Sequence, residues 1–114
     1  MQIKTLIAMA DDKAVNRNTF DQKIKTFDDI ELVFMAINGH DCLEQLQGLQ
    51  HNKQPNISFM DREMPQLDGI QTIQIAQPLY SQIHFIVLSV FDDDDKIFEA
   101  IQSGASGYLL QDAN

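Results

Sequence analysis

Carboxylates follow two apolar runs of this chain, at the points where those runs end. Asp11 and Asp12 come directly after residues 5–10, and Asp61 comes directly after residues 57–60. If the three side chains meet, their charges repel one another unless a cation neutralises them. A hard divalent ion such as Mg²⁺ prefers oxygen ligands, and a carboxylate beside such an ion can attack phosphorus as a nucleophile. These positions favour metal-dependent phosphoryl chemistry, and with no Cys or His among them zinc and iron chemistry have no support.

A purely structural interpretation of the same residue types is also available. Asp11 and Asp12 can cap a first helix, and Asp68 with Gly69 can form the turn that starts a third helix. Either pair taken alone is adequately explained in this way. Capping does not explain why acids follow both the first and the third apolar run, so the metal site is the preferred hypothesis.

The elements that would position these acids are short strands that alternate with helices. Five apolar runs are rich in β-branched or aromatic residues, and most lack polar alternation, which is typical of strands covered on both faces. They span residues 5–10, 30–37, 57–60, 83–88 and 108–110. The order β-α-β-α-β-α-β-α-β predicts an α/β fold with a doubly wound, open, five-stranded parallel sheet. In such sheets ligands collect at the carboxyl ends of the strands, where the acids stand.

Four helices are predicted between the strands, the first over about residues 13–27 with an irregular apolar stripe. The other three have regular stripes, which are Cys42, Leu46 and Leu49, then Ile70, Ile73 and Ala76, then Phe98, Ile101 and Ala105. Pro78 should end the third helix, and the acidic residues 92–95 should begin the fourth as a solvated helix start. Cys42 is expected to be an inert buried thiol.

Composition and charge exclude several classes of function. The 114 residues carry 17 acidic and 8 basic side chains, a formal net charge of -9, so the chain should repel nucleic-acid backbones and anionic membranes. It has a single cysteine and no recognisable signal peptide, which predicts a cytoplasmic location. No apolar run approaches the roughly 20 residues needed to cross a bilayer.

The segment from residue 57 to residue 69, ISFMDREMPQLDG, carries a resemblance to a known family. It resembles the third strand, the phosphoacceptor aspartate and the Met-Pro loop of the receiver domains of two-component response regulators, which have a flavodoxin-like, CheY-like fold. The acid pair, Ser89 and the string GASGYLL from residue 104 occur in the family's order. The similarity covers essentially the whole chain, so residues 1–114 are interpreted as one receiver domain.

The resemblance implies a role for each acid. Asp61 would accept the phosphoryl group, and Asp11, Asp12 and Asp61 would bind Mg²⁺ together with the backbone carbonyl of Glu63. The chain would catalyse its own phosphorylation and would not be a turnover enzyme. A sensor histidine kinase or a small phosphodonor would supply the phosphoryl group.

The resemblance also implies a switch. After phosphorylation the Ser89 hydroxyl would bond a phosphoryl oxygen and Tyr108 would turn inward, which would reshape the surface around the fourth helix and the fifth strand. By residue type alone, Tyr108 could equally be an ordinary core aromatic.

The ending GYLLQDAN is most similar to the LuxR/NarL class of transcription regulators. In that class a DNA-binding domain follows the receiver, so contact with DNA is expected only through a C-terminal effector domain absent from this chain. The same resemblance predicts a receiver truncated before its fifth helix. A homodimer is a further partner that it allows.

Two positions depart from the family pattern and support alternatives. Gln111 stands where the family has a lysine that contacts the phosphoryl group, and Val90 replaces a smaller residue beside Ser89. A neutral amide lacks the stronger charge-assisted hydrogen bond. Gln111 therefore favours a phosphorylation-independent pseudo-receiver that acts as a protein interaction module. A metal-dependent phosphohydrolase of the haloacid dehalogenase type is a third alternative, but those enzymes use aspartate where this chain has Glu63.

Overall fold

A computed structural model describes residues 3–111, and in this range the helices and strands follow the predicted order. The strands are β1 (Thr5–Ala10), β2 (Ile30–Ala36), β3 (Ile57–Asp61), β4 (His84–Ser89) and β5 (Gly107–Leu110). The α-helices are α1 (Ala14–Ile24), α2 (Gly39–Gly48), α3 (Gly69–Leu79) and α4 (Asp94–Gln102), and a 3₁₀ turn lies at His51–Lys53. The domain was predicted over residues 1–114, and residues 1, 2 and 112–114 lie outside the described residues. The last three residues of the ending GYLLQDAN are among them.

The five strands form one parallel sheet in the order β2-β1-β3-β4-β5. This confirms the predicted α/β fold. β3 and β4 each extend one residue further than predicted, so that Asp61 and Ser89 are the last residues of their strands. Because β1 and β3 are neighbours and parallel, the acids that follow or end them are brought to one edge of the sheet.

Helices cover both faces of the sheet at β3. Phe59 and Met60 are consecutive strand residues, so their side chains point to opposite faces. The ring of Phe59 lies 5.4 Å from that of Phe20 in α1, whereas the Met60 sulfur lies 4.0 Å from the Cys42 sulfur in α2. α1 and α2 therefore lie on opposite faces.

Cys42 is fully buried, as predicted. Burial and the nearby charge of Asp41 raise the pKa of its thiol to about 12, outweighing a hydrogen bond from Ser58. The thiolate needed for reaction is therefore scarce at neutral pH.

Two helices differ from their predictions. α1 covers only Ala14–Ile24 and buries none of its residues, in keeping with its irregular stripe. α4 forms where predicted, but Phe98 and Ile101 are 62% and 57% exposed, and Ala100 is the buried residue. An apolar stripe identifies one face of a helix without showing whether a neighbouring element covers it. The stripe therefore does not mark the buried face of α4, and its third member, Ala105, lies beyond the end of the helix.

Pro78 lies inside α3, which ends one residue later at Leu79. A proline this close to the end removes its own N–H, but the backbone bond from Tyr80 to Ala76 still closes the last turn. Within residues 3–111, no helix combines the length and apolarity needed to span a bilayer.

Candidate functional site

Asp11, Asp12 and Asp61 meet at the carboxyl ends of β1 and β3. One carboxylate oxygen from each lies within 4.8 Å of the others. Asp11 and Asp61 are buried, and Asp12 is exposed at the rim. The structure therefore brings together the three carboxylates that the sequence selected.

Asp11 is held in place by the start of α1. Its Oδ1 accepts a hydrogen bond from the Lys13 backbone N–H at 2.9 Å, and its Oδ2 accepts one from the Asn16 side chain at 3.0 Å. The Arg17 guanidinium donates to the Asp11 backbone carbonyl at 2.9 Å. The residue that precedes α1 is Lys13, with no side-chain cap bond, so neither acid of the pair occupies the N-cap position.

Asp61 is 4% exposed at the end of β3, and its two carboxylate oxygens differ in their hydrogen bonding. Oδ1 accepts a bond from the Glu63 N–H at 3.3 Å, whereas Oδ2 is buried with no hydrogen-bond partner among the described residues. Burial and the charges of Asp11 and Asp12 raise the pKa of Asp61 to about 7, against the lowering effects of the Glu63 N–H and Lys13. A buried carboxylate oxygen without a hydrogen bond is costly when two other acids lie beside it, so the site favours a cation.

The donor set fits a divalent metal ion. All three groups offer carboxylate oxygens, which hard cations such as Mg²⁺ prefer. A bound cation would offset the repulsion that raises the Asp61 pKa. The hydrogen bond from the Glu63 N–H to Asp61 Oδ1 places Glu63 beside Asp61. The role of the Glu63 backbone carbonyl as a metal ligand remains a prediction.

Lys13 also belongs to this site, although its side chain was not selected from the sequence. Its ammonium lies 3.4 Å from Asp12 Oδ1 and 3.8 Å from Asp61 Oδ2. Partial burial lowers the pKa of Lys13, but the charges of Asp61, Asp12 and Asp11 together raise it above its usual value. Lys13 therefore stays positively charged at neutral pH. Its position directly after the acid pair is the signal that could have identified it.

Ser89 and Tyr108 both contact Phe91, in the loop between β4 and α4. The buried Ser89 Oγ accepts a bond from the Phe91 N–H at 3.0 Å, and the Tyr108 hydroxyl donates to the Phe91 carbonyl at 2.5 Å. The Gln111 N–H donates to the Ser89 carbonyl at 2.7 Å, and Val90 is about half exposed. The predicted switch residues are thus linked through one loop residue.

Arg62, the residue after Asp61, points away from the acids. It is only 5% exposed, and its guanidinium lies 2.6 Å from a Glu99 carboxylate oxygen and 3.3 Å from the Lys96 backbone carbonyl. Both partners are in α4. The end of β3 is therefore tied to α4, a link that sequence reasoning missed because the partners are 34 and 37 residues apart.

Asp68 caps α3, which confirms the structural interpretation of this acid. Its side chain accepts a bond from the Gln71 N–H at 2.8 Å, and the Gln71 side chain accepts one from the Asp68 N–H at 3.0 Å. This reciprocal pair is a capping box.

Asp68→Ala is expected to lower the free energy of unfolding by about 1 kcal/mol, the usual cost of losing such a cap. Because Asp68 is engaged with the helix and lies outside the acidic cluster, Mg²⁺ affinity should not change. Urea denaturation and calorimetric titration with Mg²⁺ measure the two quantities. A loss of Mg²⁺ affinity with unchanged stability would contradict the assignment.

Comparison with known proteins gives a consistent result. A family model described as the response regulator receiver domain matches residues 7–114. The chain is 38% identical over 106 residues to YhcZ, an uncharacterized transcriptional regulatory protein of Bacillus subtilis, and the match covers 93% of this chain and 48% of YhcZ. The chain thus spans about half the length of the curated relatives it matches.

Solved structures are similar over nearly the whole chain. The signal receiver domain of the putative response regulator NarL from Mycobacterium tuberculosis has a TM-score of 0.85 at 25% identity, covering 98% of this chain and 87% of that one. The Mn²⁺-bound form of response regulator Rcp1 has a TM-score of 0.80 at 21% identity, covering 96% and 83%. At 21% identity, the similarity to Rcp1 shows only that the two chains share a fold.

Proposed function

Because this chain belongs to the response regulator receiver domains, we propose that it accepts a phosphoryl group on Asp61 in a reaction that depends on a divalent metal ion. The observation that carries the proposal is Asp61 Oδ2, a buried carboxylate oxygen that has no hydrogen-bond partner within residues 3–111 and is flanked by Asp11 and Asp12. An oxygen in this position can bind a metal or attack phosphorus. Asp61 is the one member of the cluster that also ends a central strand, which holds its backbone rigidly.

Mg²⁺ is the metal we propose, held by Asp11, Asp12, Asp61 and the Glu63 backbone carbonyl. When bound, the metal would offset the charge on the incoming phosphoryl oxygens, which is a main source of catalysis in phosphoryl transfer. The carboxylate ligands and the Mn²⁺ reported for Rcp1 support a divalent ion. The preference for Mg²⁺ rests on the oxygen-only donor set.

The chemical step needs an ionised Asp61. A lone pair on Oδ2 forms the bond to phosphorus, and the bond from phosphorus to the donor breaks, so that acetate leaves from acetyl phosphate or a histidine leaves from a kinase. Burial and the neighbouring acids leave Asp61 partly protonated near pH 7, so positive charge close to it favours the reactive form. The domain reacts once per phosphoryl group, and we do not expect turnover.

Ser89 and Tyr108 would transmit the change. The Ser89 oxygen accepts from Phe91 and keeps its own proton for donation to a phosphoryl oxygen. The Tyr108 hydroxyl holds the Phe91 carbonyl, so a shift of this loop would release Tyr108 to turn inward. The surface that changes would then be the one around α4 and β5.

The partners follow from the same proposal. A cytoplasmic histidine kinase or a small phosphodonor would load Asp61. YhcZ is described as a transcriptional regulatory protein and is about twice as long as this chain, so DNA would be contacted through a separate effector domain. The exposed Phe98 and Ile101 of α4 could also serve a homodimer.

The test is intact-protein mass spectrometry after incubation with acetyl phosphate and Mg²⁺. We expect one phosphoryl adduct on the wild type, none on Asp61→Asn and none when the metal is chelated. Circular dichroism confirms that each sample is folded. An adduct on Asp61→Asn, or one formed equally well without metal, would contradict the proposal.

A pseudo-receiver that works through protein contacts without phosphorylation is the second candidate. Gln111 favours it, because a neutral side chain stands where the family has a lysine. Failure of the folded wild type to form any adduct would establish this candidate in place of the first.

A further inference from the structure

A cation does stand beside Asp61 in this chain, at the end of β1. The Lys13 ammonium lies 3.8 Å from Asp61 Oδ2 and 3.4 Å from Asp12 Oδ1. The Lys13 backbone is fixed against the site by its N–H bond to Asp11 Oδ1 at 2.9 Å. Within residues 3–111, Lys13 is the basic side chain that forms ion pairs with the acidic cluster.

The other basic groups near these acids are engaged elsewhere. The Arg62 guanidinium is paired with Glu99 in α4, and the Arg17 guanidinium binds the Asp11 backbone carbonyl. Position 111, where the family resemblance expects a lysine, carries a neutral amide. Lys13 is therefore the side chain best placed to supply positive charge at Asp61 Oδ2.

We infer that Lys13 is the residue that binds the phosphoryl group on Asp61, so that its ammonium replaces the cation missing from position 111. The inference rests on the proposed phosphoacceptor role of Asp61. The positive charge that binds the phosphoryl group would then come from the loop after β1 and not from position 111 after β5. A neutral Gln111 would therefore not prevent phosphorylation.

The geometry suits this role. A separation of 3.8 Å exceeds the roughly 3 Å of an N–H···O hydrogen bond, so the ammonium is close to Asp61 Oδ2 without being bound to it. An ammonium has three N–H donors, and the contact with Asp12 engages one of them. Oxygens on a phosphorus bonded to Oδ2 would extend past the carboxylate, where the remaining donors can reach them.

The contribution of Lys13 to phosphoryl binding depends on the charge of its ammonium and on the exposure of its side chain. Hydrogen bonds between an ammonium and phosphoryl oxygens are charge-assisted and stronger than neutral ones. The Lys13 side chain is 56% exposed, so water and salt weaken its interactions. We expect removal of the ammonium to weaken binding of a phosphoryl group about tenfold.

The experiment measures binding of fluoroberyllate, a stable mimic of an aspartyl phosphate, at saturating Mg²⁺ by fluorine NMR. Lys13→Met should weaken binding about tenfold, and Lys13→Arg should retain most of the affinity. Adding Gln111→Lys to Lys13→Met should restore it, because the charge then enters from β5. At saturating metal, differences in Mg²⁺ affinity do not affect the comparison.

Two controls separate this role from a general disturbance of the site. Mg²⁺ affinity without fluoroberyllate should stay equal or rise in Lys13→Met, because the variant removes a positive charge from the acids; a structural defect would lower it. Lys25→Met removes the same charge from the far end of α1, roughly 18 Å away for 12 residues of helical rise. This variant should bind fluoroberyllate like the wild type.

The outcomes are distinct. If Lys13→Met binds fluoroberyllate as tightly as the wild type, or if Lys25→Met weakens binding equally, the role of Lys13 is refuted while the phosphoacceptor proposal stands. If the folded wild type binds Mg²⁺ but neither fluoroberyllate nor a phosphoryl group, both proposals are refuted together.

Discussion

Asp61→Asn is expected to stabilise the metal-free protein at pH 8 by roughly 1–3 kcal/mol and to have little effect at pH 4. The burial of Asp61 and its proximity to Asp11 and Asp12 raise its pKa from 3.8 to about 7 in the folded state. Asparagine has nearly the same shape and carries no charge at any pH. The variant therefore removes the electrostatic penalty and keeps the packing.

The direction of this change in stability depends on how many protons Asp61 binds in the folded and in the unfolded state. Below about pH 4 the carboxyl is protonated both folded and unfolded, so it makes no difference to stability. Between about pH 4 and pH 7 the unfolded chain loses this proton while the folded chain keeps it, and the wild type loses stability as the pH rises. Above pH 7 the loss is complete. The rise in the pKa of Asp61 from 3.8 to about 7 sets an upper limit of about 4 kcal/mol, which water at the exposed rim and the interaction with Asp11 reduce.

Thermal denaturation in chelator at pH 4 and pH 8 measures this effect. Asp92→Asn removes one acidic charge from the exposed loop before α4 and serves as the matched control, with little change expected at either pH. Saturating Mg²⁺ should stabilise the wild type at pH 8 and reduce the advantage of Asp61→Asn. Equal melting temperatures of wild type and Asp61→Asn at pH 8 without metal would show that the cluster carries no penalty.

Gly69→Ala is expected to cost about 3 kcal/mol or more. A methyl group at Gly69 would lie 2.4 Å from the Asp61 carbonyl oxygen and 3.1 Å from the Arg62 Cα. Both are backbone atoms, so no side-chain rotation relieves the overlap. The Gly69 N–H also donates to the Arg62 carbonyl at 3.1 Å, so this close approach joins the start of α3 to the end of β3.

Gly48→Ala is the control, because no atom of the described part of the chain lies within 4 Å of a methyl group added there. Gly48 ends α2, and alanine in a helix should be neutral or stabilising by up to about 1 kcal/mol. Urea denaturation gives both free energies of unfolding. We also expect folded Gly69→Ala to accept phosphoryl groups more slowly, since relief of the overlap displaces Asp61. Equal stability of the two variants would mean that the contact at Gly69 is easily relaxed.

The sequence alone was sufficient for the fold and for the three acids. Strands covered on both faces leave uninterrupted apolar runs, and parallel β-α units place every carboxyl end at one edge of the sheet. Asp11, Asp12 and Asp61 could therefore be grouped from their positions after the first and third runs. The cap at Asp68 was also predictable, since capping is a local interaction between residues close in sequence.

Only the tertiary structure decided which residues contact one another across elements. Lys13 meets Asp61, Arg62 meets Glu99, and Tyr108 holds Phe91, all between residues distant in the chain. The sequence also could not show that the apolar stripe of α4 is exposed. Periodicity identifies the apolar face of a helix but not whether another element packs against it. Local spacing determines secondary structure and the edge at which side chains emerge, whereas the direction of a long charged side chain depends on the charges and space that other elements bring to it.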